Sequence, residues 1–388
     1  TKYSENIYGP WKDEIRFASI SNLFTPETIE GCLIPDNSHG ICGGIKDENG
    51  KWNTKAHNDR VVWFREKELQ ILSDTFENGT PWDVVKLVSI HTQEIIDVLD
   101  KISKYPTHVK DKPNIITECL HETGAVDAGI IKRYTKEPDF SKYEMVYSGP
   151  IFYVSNPLYK EPKKDCKLNS DYDAINLSGI SADFFARTNY VPIIPIKDYV
   201  NLFKGFPKQN ADGITSYGQW IDYYKIGFRK MVGSAAERTL ICAVLPRRTA
   251  HIHGVISISF LNRYDAVDMA ALCAATIMDF YMKTLGVSNV QSSRMQSFPI
   301  DVAPIYKNAL YSRTLLLNCL TQHYADLWQD CWNKAYKDEH WSISDPRLKP
   351  FSGLTETWTW ATPLRNYFER RQALVEIDVI AAMALGLS

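Results

Sequence analysis

Long apolar runs are missing from this 388-residue chain. The longest nearly apolar stretch, Met269–Met278, falls well short of the ~20 residues that cross a bilayer, so no membrane span is expected. The opening residues hold no basic-plus-apolar segment of the secretory kind. Cysteine is sparse, at positions 32, 42, 119, 166, 242, 273, 319 and 331, with no C-x-x-C pair. Several lie in apolar company, such as Cys242 within Leu240–Leu245 and Cys273 within Ala270–Met278. That pattern argues against a disulfide framework and against a closed zinc site, and for buried free thiols in a reducing compartment.

Catalytic signatures are missing as well. There is no G-x-S-x-G elbow and no phosphate loop. Gly40-Ile41-Cys42-Gly43-Gly44 neither follows a clear strand nor opens a helix, as a cofactor fingerprint must. His121-Glu122 lacks the second histidine of H-E-x-x-H, because Ala125 stands in its place. His251-Ile252-His253 puts two imidazoles on one face of an extended segment without a third metal ligand nearby, and reads as a surface or DNA-facing pair. Glu161-Pro162-Lys163 with Asp139 upstream is a thin echo of a nuclease D…E-x-K pattern. Ser155-Asn156-Pro157-Leu158-Tyr159 echoes the Asn/Asp/Ser-Pro-Pro-aromatic tetrad with which amino-group DNA methylases hold a flipped base, but Leu158 replaces the second proline. It reads as a loop turn. No residue is assigned to catalysis or to a metal.

What is present is ordinary globular material: 44% hydrophobic and 23% charged residues, which excludes a disordered or coiled-coil chain. The length is that of two or three domains. Ten Trp and 21 Tyr point to recognition surfaces as well as core. The chain opens on Thr1 rather than Met, so a piece of a larger protein is expected. Net charge is only −2, yet residues 151–300 hold 17 Lys and Arg against 12 Asp and Glu, while the rest holds 27 against 34. Lys225–Arg263 alone has seven basic residues and one acidic. A basic centre in an acidic frame suits a polyanionic partner.

Periodicity predicts helices over Glu66–Phe76, stopped by Gly79, and over Thr92–Lys104. It predicts further helices over Ser216–Met231, over Asp265–Leu285 capped by Asp265, over Tyr306–Lys337, and over Pro363–Leu385 capped by Thr362. Arg60–Phe64, Met145–Val154, Tyr190–Ile196, Arg238–Leu245 and Gly254–Phe260 read as extended. The expected class is α/β or α+β, with mixed curved sheets, flanking helices and long helices at the C-terminus. Within the basic centre, Arg229 and Lys230 would close a helix and Arg238 would start a strand. Arg247 and Arg248 sit on a turn beside His253, a placement that suits guanine edges or phosphates. For Arg229 and Arg238 an internal salt bridge, for instance with Glu237, is an equal reading.

Several strings resemble the large Eco57I-like adenine-specific restriction–modification methylases, the type IIG group. They include Ile7-Tyr8-Gly9, Ile20-Ser21-Asn22-Leu23-Phe24, Gly43-Gly44-Ile45-Lys46 and Trp52-Asn53…His57…Arg60. Further along come His121-Glu122, Ser148-Gly149-Pro150…Asn156-Pro157-Leu158-Tyr159-Lys160 and Arg187-Thr188-Asn189-Tyr190-Val191-Pro192. The clearest is Glu237-Arg238-Thr239-Leu240-Ile241, followed by Leu245-Pro246 and Ala250-His251-Ile252-His253; Leu272–Lys283, Phe298-Pro299 and Arg370–Leu387 extend it. The resemblance implies a bacterial cytoplasmic protein and a C-terminal fragment that follows a methylase core. Residues 1–145 would be a mixed α/β part, 146–302 the target-recognition domain, and 303–388 a helical part that continues further. The fragment would recognise double-stranded DNA and dock on the core of its own polypeptide, away from any membrane. It would hold no cofactor itself. The parent would use S-adenosylmethionine, with Mg if a nuclease is fused. The expected DNA contacts are Arg247, Arg248 and His253, then Lys160, Lys163, Lys164, Arg187, Asn189, Arg229, Lys230, Arg238 and Arg294. Two rivals stand beside this reading: a complete methylase or nuclease with unread motifs, and a structural domain that docks a partner.

Overall fold

In a computed structural model, the described residues are 4–77, 79–168, 170–209, 215–233 and 237–387. They form an α+β structure of helices and several small sheets, none of them closed, ending in a long helix. The chain divides into two compact units, one running to Lys104 together with Thr284–Gly286, the other covering Tyr105–Lys283 and Val287 onward. Among the described residues no helix is long and apolar enough to cross a membrane. All eight cysteines are free, and all but Cys42 and Cys119 are buried.

In the first unit, β1 (Phe17–Ser19) pairs antiparallel with β2 (Val62–Phe64), beside α1 (Glu27–Leu33), α2 (Glu66–Phe76) and α3 (Gln93–Ser103). Helix α2 occupies the span its Leu69–Leu72–Phe76 spacing predicts. Glu68 caps it by accepting from the Arg65 N–H at 2.9 Å, and Gly79 follows it at φ +77°. Helix α3 likewise buries Ile96, Leu99 and Ile102. Arg60 is fully buried and ties this unit together, donating to the carbonyls of Lys55, Ser21 and Asn22 at 2.9–3.2 Å.

The second unit opens with β3 (Asn114–Thr117), α4 (Glu122–Asp127), β4 (Ile131–Lys136), β5 (Met145–Tyr147), β6 (Lys160–Pro162), β7 (Tyr172–Ala174), β8 (Thr188–Pro192) and α5 (Ile196–Asn201). Strands β9 (Lys204–Gln209), β10 (Thr215–Gln219), β11 (Lys225–Arg229), β12 (Cys242–Leu245), β13 (Thr249–His251) and β14 (Val255–Phe260) follow. Helices α6 (Arg263–Ala274), α7 (Thr276–Leu285), α8 (Ser292–Met295), α9 (Pro304–Asn318), α10 (Ala325–Asp330) and α11 (Tyr367–Ala384) close the chain. Four strands make an antiparallel sheet in the order β12-β11-β14-β3. Helix α6 packs on this sheet and is covered in turn by α9 and α11, which is why Asp265–Ala274 is buried on every side. Strand β5 pairs in parallel with β13 and separates two apolar clusters. Met145 and Tyr147 turn into one, with Phe152, Leu158 and Leu245; Val146 turns into the other, with Tyr190, Trp220 and Ile252.

Tertiary contacts override four of the predicted helices. Tyr217, Trp220, Ile221, Tyr224 and Phe228 have helical spacing, but Ser216–Met231 is not a helix. Its C-terminal half is β11, with Ile226 opposite Val244 on one side and Ile258 on the other. Arg229 therefore ends a strand and Lys230 follows it, and no helix dipole acts on them. Arg238 lies ahead of β12 rather than starting it, because the N–H groups of Thr239 and Leu240 donate to buried Asp279. The expected Asp265–Leu285 helix is two helices. Asn262, not Asp265, caps the first, Asp268 falls in its second turn, and the break at Ala275 forms where Asp378 accepts from the Thr276 N–H at 2.7 Å. Tyr306–Lys337 breaks after Asn318, whose Oδ1 accepts from the Val244 N–H at 3.0 Å, while the Tyr324 hydroxyl donates to the Val244 carbonyl at 3.0 Å. These side chains satisfy the open edge of β12, at the cost of helix continuity. The last helix starts at Tyr367 instead of Pro363. Asn366 and Glu369 cap it reciprocally, and Thr362 instead accepts from the Thr359 N–H. Gly386, at φ +74°, follows its end.

Candidate nucleic-acid interface

The turn Pro246–Arg248 joins β12 to β13. Thr249 Oγ1 donates to the Pro246 carbonyl at 2.7 Å, and the Arg248 N–H donates to the Ile221 carbonyl at 2.7 Å. These bonds hold Arg248 in the left-handed region, at φ 59°, which costs an L-residue about 1–2 kcal/mol. The Arg248 side chain is exposed and lies over Tyr143 and Phe140, 5.4 and 5.5 Å from the ring centres. Among the described residues no carboxylate pairs with it. Arg247 is placed differently. It pairs with Asp326 and lies 5.6 Å over Tyr224, whose hydroxyl donates to the same carboxylate.

Beneath this turn Lys225 is fully buried and has no carboxylate partner among the described residues. Its ammonium donates to the carbonyls of Tyr223 and Ile221, at 2.9 and 3.3 Å, and lies 4.6 Å from the Trp220 ring. Burial pushes its pKa down to about 7. His251 is buried too, so it is not a surface or DNA-facing residue. Strand β13 runs through the core, and His251 Nε2 meets Ser257 Oγ at 2.8 Å. Burial lowers its pKa to about 3.

A second basic surface gathers around β4 and the β6–β7 loop. Arg133 Nη2 donates to the Lys167 carbonyl at 2.7 Å and pins that loop against β4. Lys163, Lys164 and Lys167 are exposed, and half-buried Lys160 lies 5.2 Å over Tyr159. Lys163 stands 3.7 Å from Asp173. Arg187 is half-buried and committed to Glu161 at 2.9 Å and to the Pro162 carbonyl at 2.8 Å. Asn189 is buried. Its amide donates to Tyr172 Oη at 2.8 Å and to Cys166 Sγ, and its oxygen accepts from Thr135. Between these groups lies a polar cleft of about 190 Å³, lined by Glu122, Arg133, Ser148, Lys167, Tyr172 and Tyr190. The Tyr190 hydroxyl donates to Glu122, and burial together with that carboxylate pushes the phenol above its ordinary pKa. Beyond Ile252, on the cleft wall, Glu118 bridges Lys230 at 2.7 Å and His253 Nδ1 at 3.2 Å. Lys230 Nζ stands 2.5 Å from His253 Nε2, and the His121 ring meets His253 edge-on.

The remaining expected contacts are engaged inside the molecule. Arg229 donates to the carbonyls of Gly149 and Phe152, at 2.8 and 2.5 Å, and burial lowers its pKa. Arg238 is buried and binds Asp378 through both oxygens, whereas Glu237 pairs with Arg371. Arg294 lies in the last turn of α8, and its buried Nε has no hydrogen-bond partner among the described residues. Sequence reading passed over Lys132, Arg133, Lys167, Glu118 and Tyr190. The available signal was Ile131-Lys132-Arg133-Tyr134, a basic strand with one buried end. No protein-family model matches this chain, and no curated protein does either.

The glycine-rich segment does not fit S-adenosylmethionine. His57, His91 and Asn53 donate to the carbonyls of Gly40, Gly43 and Gly44 at 3.3, 3.1 and 2.8 Å, and no helix follows. The Ser155–Tyr159 string makes a turn: Asn156 Oδ1 accepts from the Leu158 N–H at 3.2 Å, Leu158 is buried, and the Ser155 carbonyl accepts from Arg370. Glu161 and Asp139 are likewise occupied, the first by Arg187 and the second by capping its own turn at Ser141.

Proposed function

We propose that this chain is the DNA-specificity module of an N6-adenine DNA methyltransferase or fused type II restriction–modification enzyme, reading duplex sequence for a catalytic core elsewhere in its polypeptide. The observation that carries the reading is Arg248: an exposed guanidinium on a strained turn, backed by two aromatic rings and free of a carboxylate among the described residues. Strain held by surrounding hydrogen bonds, at a residue that contributes nothing to the core, fits preorganised recognition of a base edge or phosphate. The cationic β6–β7 loop, with Lys163, Lys164 and Lys167 exposed, supplies phosphate contacts that set register without reading sequence. Transfer of a methyl group is left to the core, which holds S-adenosylmethionine and, with a fused nuclease, Mg.

The direct test is binding of the purified chain to duplex DNA, followed by fluorescence anisotropy at low salt. Arg248→Ala is expected to weaken binding about tenfold or more, and Arg247→Ala less, because Arg247 is already shared with Asp326. A folded chain that binds no duplex contradicts the proposal.

A further inference from the structure

We propose that Glu118 reads a base: its carboxylate accepts a hydrogen bond from the exocyclic amino group of a cytosine in the major groove. This rests on the DNA-recognition reading above and adds one base pair of the target. The carboxylate is pinned through both oxygens. Oε1 accepts from Lys230 Nζ at 2.7 Å, and Oε2 stands 3.2 Å from His253 Nδ1. Lys230 Nζ also lies 2.5 Å from His253 Nε2, so the ammonium faces that nitrogen and the ring proton on Nδ1 points at Glu118. The His121 ring braces His253 edge-on. A carboxylate has about four acceptor sites, and these contacts occupy two of them. The Glu118 side chain is 42% exposed, which leaves acceptor capacity to solvent. In the major groove cytosine presents its N4 amino group, a donor, whereas guanine and thymine present acceptors and adenine sets its N7 acceptor beside its amino group. An acceptor-only carboxylate therefore selects cytosine both by the bond it makes and by the repulsion it meets elsewhere.

The backbone under Glu118 is held as firmly as its side chain. Strand β3 ends at Thr117, and the turn that follows carries Cys119 in the left-handed region, at φ 55°. Thr117 Oγ1 accepts from the Cys119 N–H at 2.9 Å. Leu120 donates to the His251 carbonyl at 3.1 Å and accepts from the His253 N–H at 2.9 Å, which ties the turn to the end of β13. The Lys230 N–H donates to the Gly254 carbonyl at 3.0 Å, and the Lys230 carbonyl accepts from the Val290 N–H at 2.8 Å. An ion pair between free surface side chains has no such frame and contributes little. Strain beside the carboxylate, held by these bonds, fits a preorganised acceptor. Arg248, also on a left-handed backbone, lies at the other end of β13. The chain from Arg248 to His253 spans at most about 18 Å, roughly the length of five base pairs, so both fall within reach of one short site.

The test compares the wild-type chain with Glu118→Gln, which keeps the side chain's size and removes its charge. Each is incubated with a library of randomised duplexes and the bound fraction is sequenced. Affinity for one fixed arbitrary duplex is measured by anisotropy, and thermal melting checks that both chains are folded. The wild type is expected to enrich a motif that contains a C·G pair. In the variant that one position is expected to lose about tenfold or more of its preference while the rest of the motif is kept. The arbitrary duplex is expected to bind at least as tightly as before, because a negative charge has gone. Glu118→Asp, which keeps the charge and withdraws the carboxylate, should blunt the same position and serves if the first variant does not fold. A purely structural ion pair predicts a lower melting temperature with the motif unchanged. An unchanged motif overturns the assignment, as does a loss at a pair other than C·G, or wild-type binding without any enriched motif. A wild-type chain that binds neither probe overturns the DNA reading itself.

Discussion

Arg248 and His251 stand three residues apart and show how differently a short basic stretch is used. Arg248 faces outward on a left-handed backbone, so its role separates from its strain. Arg248→Gly relieves the backbone and removes the guanidinium; stability is expected to stay within about 1 kcal/mol of wild type while DNA affinity falls. A denaturant curve and an anisotropy titration on the same sample check both halves. His251 is buried and neutral, its pKa depressed to about 3 against roughly 6.5 in an unfolded chain. The stability this contributes is present above pH 6.5 and is lost as pH falls toward 3, because the unfolded chain takes up a proton that the folded one excludes. The wild type's stability advantage over His251→Gln should shrink by about 3 kcal/mol between pH 7.5 and pH 4.5, on the order of the linkage for a two-unit span. A gap independent of pH contradicts it. The turn that carries Arg247 and Arg248 was legible in the sequence, since Pro246 precedes two arginines between apolar runs. The commitment of Arg238 to Asp378 was not, because 140 positions separate the pair.

At the scale of elements, legibility follows how far each segment depends on its own sequence. Helices α2 and α3 form where their apolar stripes predict, since those stripes alone decide which face is buried. Residues 216–231 carry a helical stripe as well, but the two ladders of β11 outweigh it. The breaks at Ala275 and after Asn318 answer to Asp378 and to the edge of β12, partners that no local pattern reveals. Helix α11 is anchored in the same non-local way. Arg370 is buried and donates to the carbonyls of Leu317, Leu364 and Ser155 at 2.8–2.9 Å, with no carboxylate partner among the described residues, and burial lowers its pKa to about 9. Arg370→Met leaves those carbonyls without a donor and is expected to cost on the order of 3 kcal/mol in urea unfolding. A loss under about 1 kcal/mol would show that water replaces the guanidinium. Arg313, buried between Glu376 and Glu339, makes a second tie, and Glu376→Ala should cost about 3–5 kcal/mol by leaving that charge under-compensated.

For the whole molecule, the charge division visible in the sequence has a structural counterpart in the second unit. Its cations divide between those that hold the fold, Arg229, Arg238 and Arg370, and those that face outward, Lys163, Lys164, Lys167 and Arg248. Composition counts both kinds alike, which is why the basic excess does not rank its residues. Under the proposed function the outward set is the one a polyanion would meet, with a contribution screened by salt. The most direct measurement is the affinity of the purified chain for duplex DNA as a function of salt. The account predicts a linear fall of log affinity with log salt concentration, with a loss of tenfold or more between about 50 and 200 mM and a shallower slope for a variant with Lys163, Lys164 and Lys167 all changed to Ala. Absence of binding at low salt by a chain shown to be folded, or affinity indifferent to salt, would contradict it.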